Sequence, residues 1–381
     1  MESRHDVGIR TRTLRLVTKM VAPVASRFPF LLPAMGCLVA GVLTGLFRAG
    51  GYVPFHVPEN IGSHSIFLIS GFFGTVIGLE RAVASRRYWS FFAPALSGAA
   101  GLTLLSGYSE MAAAWIFCLA ALCFVATSAL VFSRQPAAHG ATLLVAALLW
   151  LSGNLLWLIN GELWASIPFG LSFLVLTIAG ERLELTRFLP PRKWARALFF
   201  SIATILIIGT ASSGLSGFSE NTWLGLAYAA LALWLIAYDI ATKTISQRGI
   251  TRFVAVCLLT GYGWLLCGGL FLSGLFDLGV FQRDAGIHAV ALGFIFAMVI
   301  GHAPIIFPAV FRTPIPYSPI FYLPLALLEL GVGLRFVAAL LSDQELRAYG
   351  ADINALAIFV FILTLLTQSL RGSLSHRKES V

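Results

Sequence analysis

Residues 30–47 read FLLPAMGCLVAGVLTGLF, an uncharged apolar stretch that follows a basic segment. A helix that crosses a bilayer needs about 20 mostly apolar residues, and the range extends down to roughly 17. No small-residue cleavage site follows the stretch, so it predicts a retained helix and not a removed signal peptide. The pattern recurs along the chain and predicts an all-α membrane protein of twelve transmembrane helices, at 30–47, 62–80, 88–106, 110–133, 139–160, 163–180, 194–216, 221–240, 253–275, 285–307, 317–341 and 353–370.

The composition favours the same class of protein. Of the 381 residues, 58% are hydrophobic and 11% are charged, whereas soluble proteins contain about 25% charged residues. The net charge of +9 does not indicate nucleic-acid binding, because the basic residues lie in short loops and form no stripe on a folded face. We therefore expect one polytopic transmembrane domain at 30–370 in contact with the lipid bilayer, between a basic cytoplasmic tail at 1–29 and a second cytoplasmic tail at 371–381.

The distribution of Lys and Arg predicts the orientation of the helices. Basic residues are enriched in loops on the cytoplasmic side of a membrane. Of the 26 Lys and Arg residues, 22 fall in the two tails and in the loops after the even-numbered helices. Both termini are therefore expected in the cytoplasm. The outer loops contain only Arg48, Arg283 and Arg347, and Arg335 lies inside the eleventh predicted helix.

Short similarities between helices suggest an internal repeat. The second predicted helix ends in GFFGTVIGLERAVASRR and the sixth in LSFLVLTIAGERLELTR, which aligns Glu80-Arg81 with Glu181-Arg182. The tenth helix contains a Gly-Phe pair that aligns with Gly71-Phe72. Because these helices are four apart, they favour three four-helix units. The alternative is that membrane helices often end in charged residues, and such residues are expected to form ion pairs that lock helices together.

Three histidines lie where a membrane disfavours polar groups. His64 opens the second predicted helix and His288 opens the tenth, so both are expected near the outer face at a similar depth. His302 lies fourteen residues after His288, on nearly the same helix face at about 100° per residue. Ionisable residues inside membranes usually face the bundle interior or a cavity. Imidazoles of two helices at one depth can both ligate one haem iron; the alternative is that each histidine only bridges helices by hydrogen bonds.

Two further ionisable residues lie in the eleventh predicted helix. Glu329 is near mid-depth, where a carboxyl is costly unless it is protonated or paired, and it is a candidate for a proton path. Arg335 lies nearer the outer face, where it is a candidate to hold an anionic group such as a haem propionate by charge-assisted hydrogen bonds. The alternative is that the Arg335 side chain extends to the interface. The sequence has no CxxCH motif, so any haem would be bound non-covalently.

Together these features resemble the haem–copper oxidase superfamily, whose catalytic subunit takes its low-spin haem ligands from the second and tenth of twelve helices. The sequence is more closely similar to the NnrS family, haem- and copper-containing bacterial membrane proteins linked to nitric oxide stress. The similarity is carried by SHSIFLISGFF at 63–73 and HAVALGFIFAMVIGHAP at 288–304. The sixth and seventh predicted helices contain no histidine, which argues against the oxygen-reducing haem–copper centre of an oxidase.

The resemblance implies a bacterial inner-membrane protein that binds haem b or copper through His64 and His288, with His302 as a further metal ligand. It implies a role in nitric oxide or respiratory metabolism, with an electron-transfer partner or a gaseous ligand, and leaves open whether the protein is an enzyme. The alternative is a secondary transporter of a small solute, whose 6+6 symmetry would pair the second helix with the eighth. A non-catalytic assembly factor is a third interpretation.

Overall fold

The structure of the protein, a computed structural model, describes residues 24–51, 53, 64–190, 192–216, 221–276 and 280–379. Of these residues 87% are helical and none forms a strand, which confirms the predicted all-α class. Residues 1–23 of the predicted N-terminal tail lie outside the described residues.

Twelve helices of fourteen residues or more occur in the described part of the chain, and each overlaps one of the predicted apolar runs. Their short connections make consecutive helices antiparallel neighbours. They are α1 (Arg27–Ala49), α2 (His64–Ser85), α3 (Phe92–Leu105), α4 (Glu110–Arg134), α5 (Ala138–Asn160), α6 (Leu163–Phe188), α7 (Ala195–Leu215), α8 (Thr222–Tyr238), α9 (Gly249–Leu272), α10 (Gln282–Phe311), α11 (Pro319–Leu341) and α12 (Gln344–Glu379).

Ten of the described helices are long and apolar enough to cross a membrane. The other two are shorter: α8 has 17 residues and α3 has 14. A helix rises about 1.5 Å per residue, so α3 spans only part of a bilayer core of about 30 Å. The structure therefore supports a multi-helix membrane-type protein, and the number of twelve spans stays a prediction.

Three helices form the interior of the bundle. The most apolar segments of α6, α2 and α10 are 83%, 67% and 56% buried, more than those of the other candidate spans. Consecutive helices pack against one another around this interior, and α12 returns to pack against α1. The interior helices are the three whose sequences suggested a repeat, and their central position is what places their side chains around a shared cavity.

The largest difference from the predicted helix boundaries is in α12. The apolar pattern predicts 353–370, whereas the helix runs over Gln344–Glu379. Its polar first turns stay helical because the Asp343 carboxylate accepts a hydrogen bond from the Leu346 N–H at 3.0 Å, as a helix cap does. The predicted start of the C-terminal tail at 371 therefore falls inside a helix.

Candidate cofactor site at one end of the bundle

A cavity opens at the end of the bundle where α2 and α10 begin, which we call the histidine end. The cavity has a volume of about 190 Å³. Ligand pockets in proteins measure roughly 300–1,000 Å³, so a molecule of cofactor size would have to extend through the open mouth of the cavity. Its lining comes from α1, α2, α6, α10, α11 and α12.

His64 and His288 both line this cavity, and their rings lie side by side. The two ring centroids are 6.3 Å apart and the ring planes are inclined by 26°. Two imidazoles on opposite sides of one metal ion, at metal–nitrogen bonds of about 2.0–2.1 Å as in zinc sites, have centroids roughly 6 Å apart. No hydrogen bond joins these two described rings. Their separation therefore fits two ligands of one metal ion.

Each of the two rings is held through its Nδ1 atom. The Nδ1 of His64 lies 2.6 Å from the carbonyl oxygen of Gly41 in α1, and the Nδ1 of His288 lies 2.7 Å from the carbonyl oxygen of Asp284. Because a carbonyl oxygen only accepts hydrogen bonds, both rings donate from Nδ1. In the neutral ring Nε2 is then the electron-pair donor. Metal-binding histidines are commonly oriented by such a hydrogen bond from their other nitrogen.

The support behind His64 depends on a glycine in α1. A Cβ atom at Gly45 would lie 2.6 Å from the Cε1 atom and 2.8 Å from the Nδ1 atom of His64. Carbon atoms attract one another best at about 3.5–4.0 Å, so a side chain at this position would displace the imidazole. Gly45 therefore permits the ring to reach the carbonyl of Gly41.

The backbone widens next to both histidines. α2 continues as a π-helix over Phe67–Phe73, and α10 does so over Ala289–Phe296. π-helical turns are rare and occur frequently at functional sites. Apolar side chains from these two segments line the cavity, among them Leu68, Ile69 and Ile295. The interior below the histidines is therefore apolar, as a site for a flat hydrophobic cofactor requires.

Charged side chains surround the mouth of the cavity. The Arg335 Nη1 atom lies 2.9 Å from Oδ2 of Asp284, and the Arg347 Nη1 atom lies 3.5 Å from Oδ1. The Arg48 guanidinium lies over the Trp164 ring, 4.6 Å from its centroid. Among the residues that line the cavity, three arginines thus face a single carboxylate. The excess of positive charge favours an anionic group at this mouth.

Arg335 is the most deeply buried of these arginines. It is 5% exposed, and its Nε atom has no hydrogen-bond partner among the described residues. This burial does not fit the alternative in which its side chain extends to the interface. Arg48 and Arg347 were predicted in outer loops, where basic residues are scarce, so the few basic residues at this end concentrate around the cavity.

The other two predicted site residues lie away from the cavity. His302 is fourteen residues beyond His288, which corresponds to about 21 Å along α10 at about 1.5 Å per residue. Glu329 of α11 accepts a hydrogen bond from the indole N–H of Trp264 in α9, so it is paired within the bundle as expected. No group of three or more His, Cys, Asp or Glu in the described residues is arranged to hold a metal ion. His302 is therefore not placed to share a metal ion with the other two histidines.

Two members of the site were not predicted from the sequence, Asp284 and Arg347. Asp284 precedes His288 by four residues, and residues at this spacing share a helix face; the spacing could have identified it. Arg347 lies in the part of α12 that was predicted as a loop. The sequence could have indicated Arg347, because it is one of only three basic residues on the predicted outer side.

The described geometry can be compared with known proteins. A family model described as a domain of unknown function, DUF8744, matches residues 27–370. The matched range includes every residue that lines the cavity, from Val42 to Ile358. Comparison with curated proteins and with solved structures found no significant match. Because the matched range covers most of the chain, the protein belongs to the family described as domain of unknown function DUF8744.

Proposed function

We propose that the protein is a membrane haem protein in which His64 and His288 would hold the iron of one haem b. The proposal rests on two imidazoles with centroids 6.3 Å apart, each oriented by a hydrogen bond from Nδ1 to a backbone carbonyl. Two protein ligands would be sufficient to hold a haem. Copper alone is less well supported, because no third ligand lies beside this pair in the described residues.

The charged residues at the mouth fit the carboxylate groups of a haem. Arg335, Arg347 and Arg48 line the cavity together with Asp284 alone among acidic residues. Hydrogen bonds from arginine to carboxylate are charge-assisted and roughly twice as strong as neutral ones. The unpartnered Nε atom of Arg335 is a buried donor that such a carboxylate would satisfy. Arg335 is therefore the principal residue that would hold this part of the cofactor.

The arrangement favours electron transfer over binding of a gas. A haem held by both His64 and His288 would supply one-electron redox chemistry and would leave no position for a gas. The protein holds both rings in place through backbone carbonyls, and apolar side chains line the cavity beneath them. We therefore infer an auxiliary redox role in respiratory or nitric oxide metabolism, with an electron-transfer partner at the open mouth of the cavity.

We also propose twelve membrane spans in a bacterial inner membrane, with both termini in the cytoplasm. The two short helices lie between neighbours that meet the length requirement, and α3 is extended by a 3₁₀ turn over Tyr88–Phe91. The distribution of Lys and Arg supports the orientation. A reporter enzyme that is active only outside the cytoplasm, fused after Arg192, is expected to be inactive. Activity at this position would contradict the topology.

Optical spectra of the purified protein test the haem proposal. Wild-type protein in detergent is expected to show a Soret band that shifts on reduction. His64→Ala and His288→Ala are each expected to lose the bound haem or change its spectrum, whereas His302→Ala keeps it because His302 does not line the cavity. Loss only in His302→Ala would contradict the ligand pair.

A secondary transporter is the alternative that the same experiment addresses. The interior position of α2, α6 and α10 favours units of four helices over a 6+6 arrangement. Well-folded wild-type protein that contains neither haem nor metal would end the haem proposal and leave the transporter as the better interpretation.

A further inference from the structure

A second, smaller cavity lies between α2, α5 and α6. It has a volume of about 10 Å³, against about 190 Å³ for the larger cavity at the histidine end. Most of the residues around it are buried, so it belongs to the interior of the bundle. We call it the Asn154 pocket, and its polar lining residues are Ser65, Ser70, Trp150, Asn154 and Ser166.

Asn154 brings an unused hydrogen-bond acceptor to this pocket. The residue is 2% exposed, and its Nδ2 atom donates to the carbonyl oxygen of Trp150 at 2.8 Å. This bond fixes which end of the amide is the oxygen, because a carbonyl only accepts hydrogen bonds. The Oδ1 atom of Asn154 is buried and has no partner among the described residues. Most buried polar side-chain atoms in proteins have a partner, so this acceptor requires one.

The serines of the pocket bring unused donors. The hydroxyl oxygen of Ser70 accepts a hydrogen bond from the indole N–H of Trp150 at 2.9 Å. Neither Ser70 nor Ser65 donates from its hydroxyl to another group in the described part of the chain. Ser166 donates to the carbonyl oxygen of Leu163 at 2.7 Å, which leaves its own oxygen as an acceptor. The missing partner must therefore both accept and donate hydrogen bonds.

The size and the charge of the pocket restrict what this partner can be. A water molecule needs a cavity of roughly 10–15 Å³ and two to four polar partners, so the pocket has room for one water molecule and for nothing larger. No charged side chain is among the described residues that line it. An ion there would lack a compensating charge, and an uncompensated ion inside a protein is costly. Water is neutral and it both donates and accepts.

We propose that the Asn154 pocket binds one ordered water molecule, which donates to Oδ1 of Asn154 and accepts from the hydroxyl of Ser65 or Ser70. This water joins α5 to the outer part of α2. Ser65 directly follows His64 in the chain, and Ser70 lies in the π-helical segment Phe67–Phe73. The water therefore completes a polar connection that holds the widened turns of α2 next to the larger cavity. The inference does not depend on a bound haem.

A structure of the full-length protein in lipid nanodiscs, at a resolution that shows ordered water, tests the proposal. We expect one density peak in the pocket, at a hydrogen-bonding distance of about 2.5–3.0 Å from Oδ1 of Asn154 and from a serine hydroxyl. A well-defined pocket without a peak would overturn the proposal. A peak that disappears when choline replaces sodium in the buffer would also overturn it, because the bound species would then be a cation.

A pair of asparagine variants sharpens this test. Asn154→Leu removes the acceptor with little change in side-chain size, and we expect the density peak to be lost. Asn160→Leu, at the end of the same helix, is the matched control, because Asn160 is exposed and does not line the pocket. An unchanged peak in folded Asn154→Leu would contradict the assignment of Asn154 as a partner of the water. If this variant does not fold, the map of the wild-type protein decides the proposal.

Discussion

The two ends of the bundle each join helices by an arginine–carboxylate pair, but in different surroundings. At the histidine end, Arg335 and Asp284 are 2.9 Å apart, with side chains 6% and 25% exposed. At the opposite end, Arg81 of α2 and Glu181 of α6 are 3.2 Å apart, with side chains 17% and 35% exposed, which confirms the predicted ion pair between helix ends. Asp284 also contacts Arg347 and His288, whereas Glu181 has a single partner among the described residues.

The same pair of residue types has different consequences at the two ends of the bundle. Exposed pairs contribute about 0–1 kcal/mol, because water screens them and solvates either partner alone. Removal of one partner from a buried pair costs about 3–5 kcal/mol, because the other charge is left uncompensated. We therefore expect Asp284 to contribute more to the stability of its end of the bundle than Glu181 does.

The largest effect is expected from Asp284→Asn. The substitution leaves the buried Arg335 without its carboxylate, and we expect the free energy of unfolding to fall by about 3–5 kcal/mol. Haem content is expected to fall as well, because Arg335 and Arg347 lose the carboxylate that positions them at the cavity mouth. Unfolding in mixed detergent micelles measures the first quantity. Glu345→Gln, which changes an exposed acid at the same end, is the control and is expected to have little effect.

A smaller effect is expected from Gly45→Ala. The added Cβ would displace the His64 ring, and overpacking of this kind typically costs about 1–3 kcal/mol. The Soret band of the purified protein is expected to shift or weaken, since the ring moves away from the Gly41 carbonyl. Gly333→Ala is the matched control, because nothing lies within 4 Å of a Cβ at that position. Identical spectra of the two variants would contradict the role of Gly45.

Trp264→Phe tests whether Glu329, a carboxyl outside the cavity, affects the binding of the cofactor. The change removes the donor to Glu329, and hydrogen bonds between membrane helices contribute roughly 1 kcal/mol. We expect a loss of stability of that size with an unchanged haem spectrum, because neither residue lines the cavity. A change in the haem spectrum would show that Glu329 influences the site and would support its role in a proton path.

The smallest effect is expected from Glu181→Gln. Its pair with Arg81 is partly exposed, so we expect the free energy of unfolding to change by about 0–1 kcal/mol. The variant is measured in the same unfolding assay as Asp284→Asn. A cost equal to that of Asp284→Asn would show that the two ends do not differ in the way that burial predicts.

Much of the architecture could be predicted because a helix that is able to cross a bilayer needs a long apolar run. Each predicted apolar run is a helix in the structure, and the Lys and Arg pattern singled out Arg335. The predicted start of α12 at residue 353 is wrong, because the polar residues before it continue the helix and Arg347 belongs to its first turns. For this reason Arg347 was not predicted as a residue of the cavity mouth.

The site was only partly predictable for related physical reasons. His64 and His288 were identified because each opens a helix, and the Gly-Phe pairs that suggested the repeat lie inside the two π-helical segments. Hydrophobic periodicity does not distinguish a π-helical turn from an α-helical one, so the widened turns could not be predicted. His302 shares a helix face with His288 but lies deeper along α10, and it does not line the cavity.

The most direct measurement is the electron paramagnetic resonance spectrum of the oxidised, purified protein, with its haem content per chain. Two histidine ligands predict one haem per chain and a low-spin ferric signal of the type given by two axial imidazoles. His64→Ala and His288→Ala are expected to abolish this signal. A high-spin signal in wild-type protein, or folded protein without haem, would contradict the assignment of His64 and His288 as the two ligands of one iron.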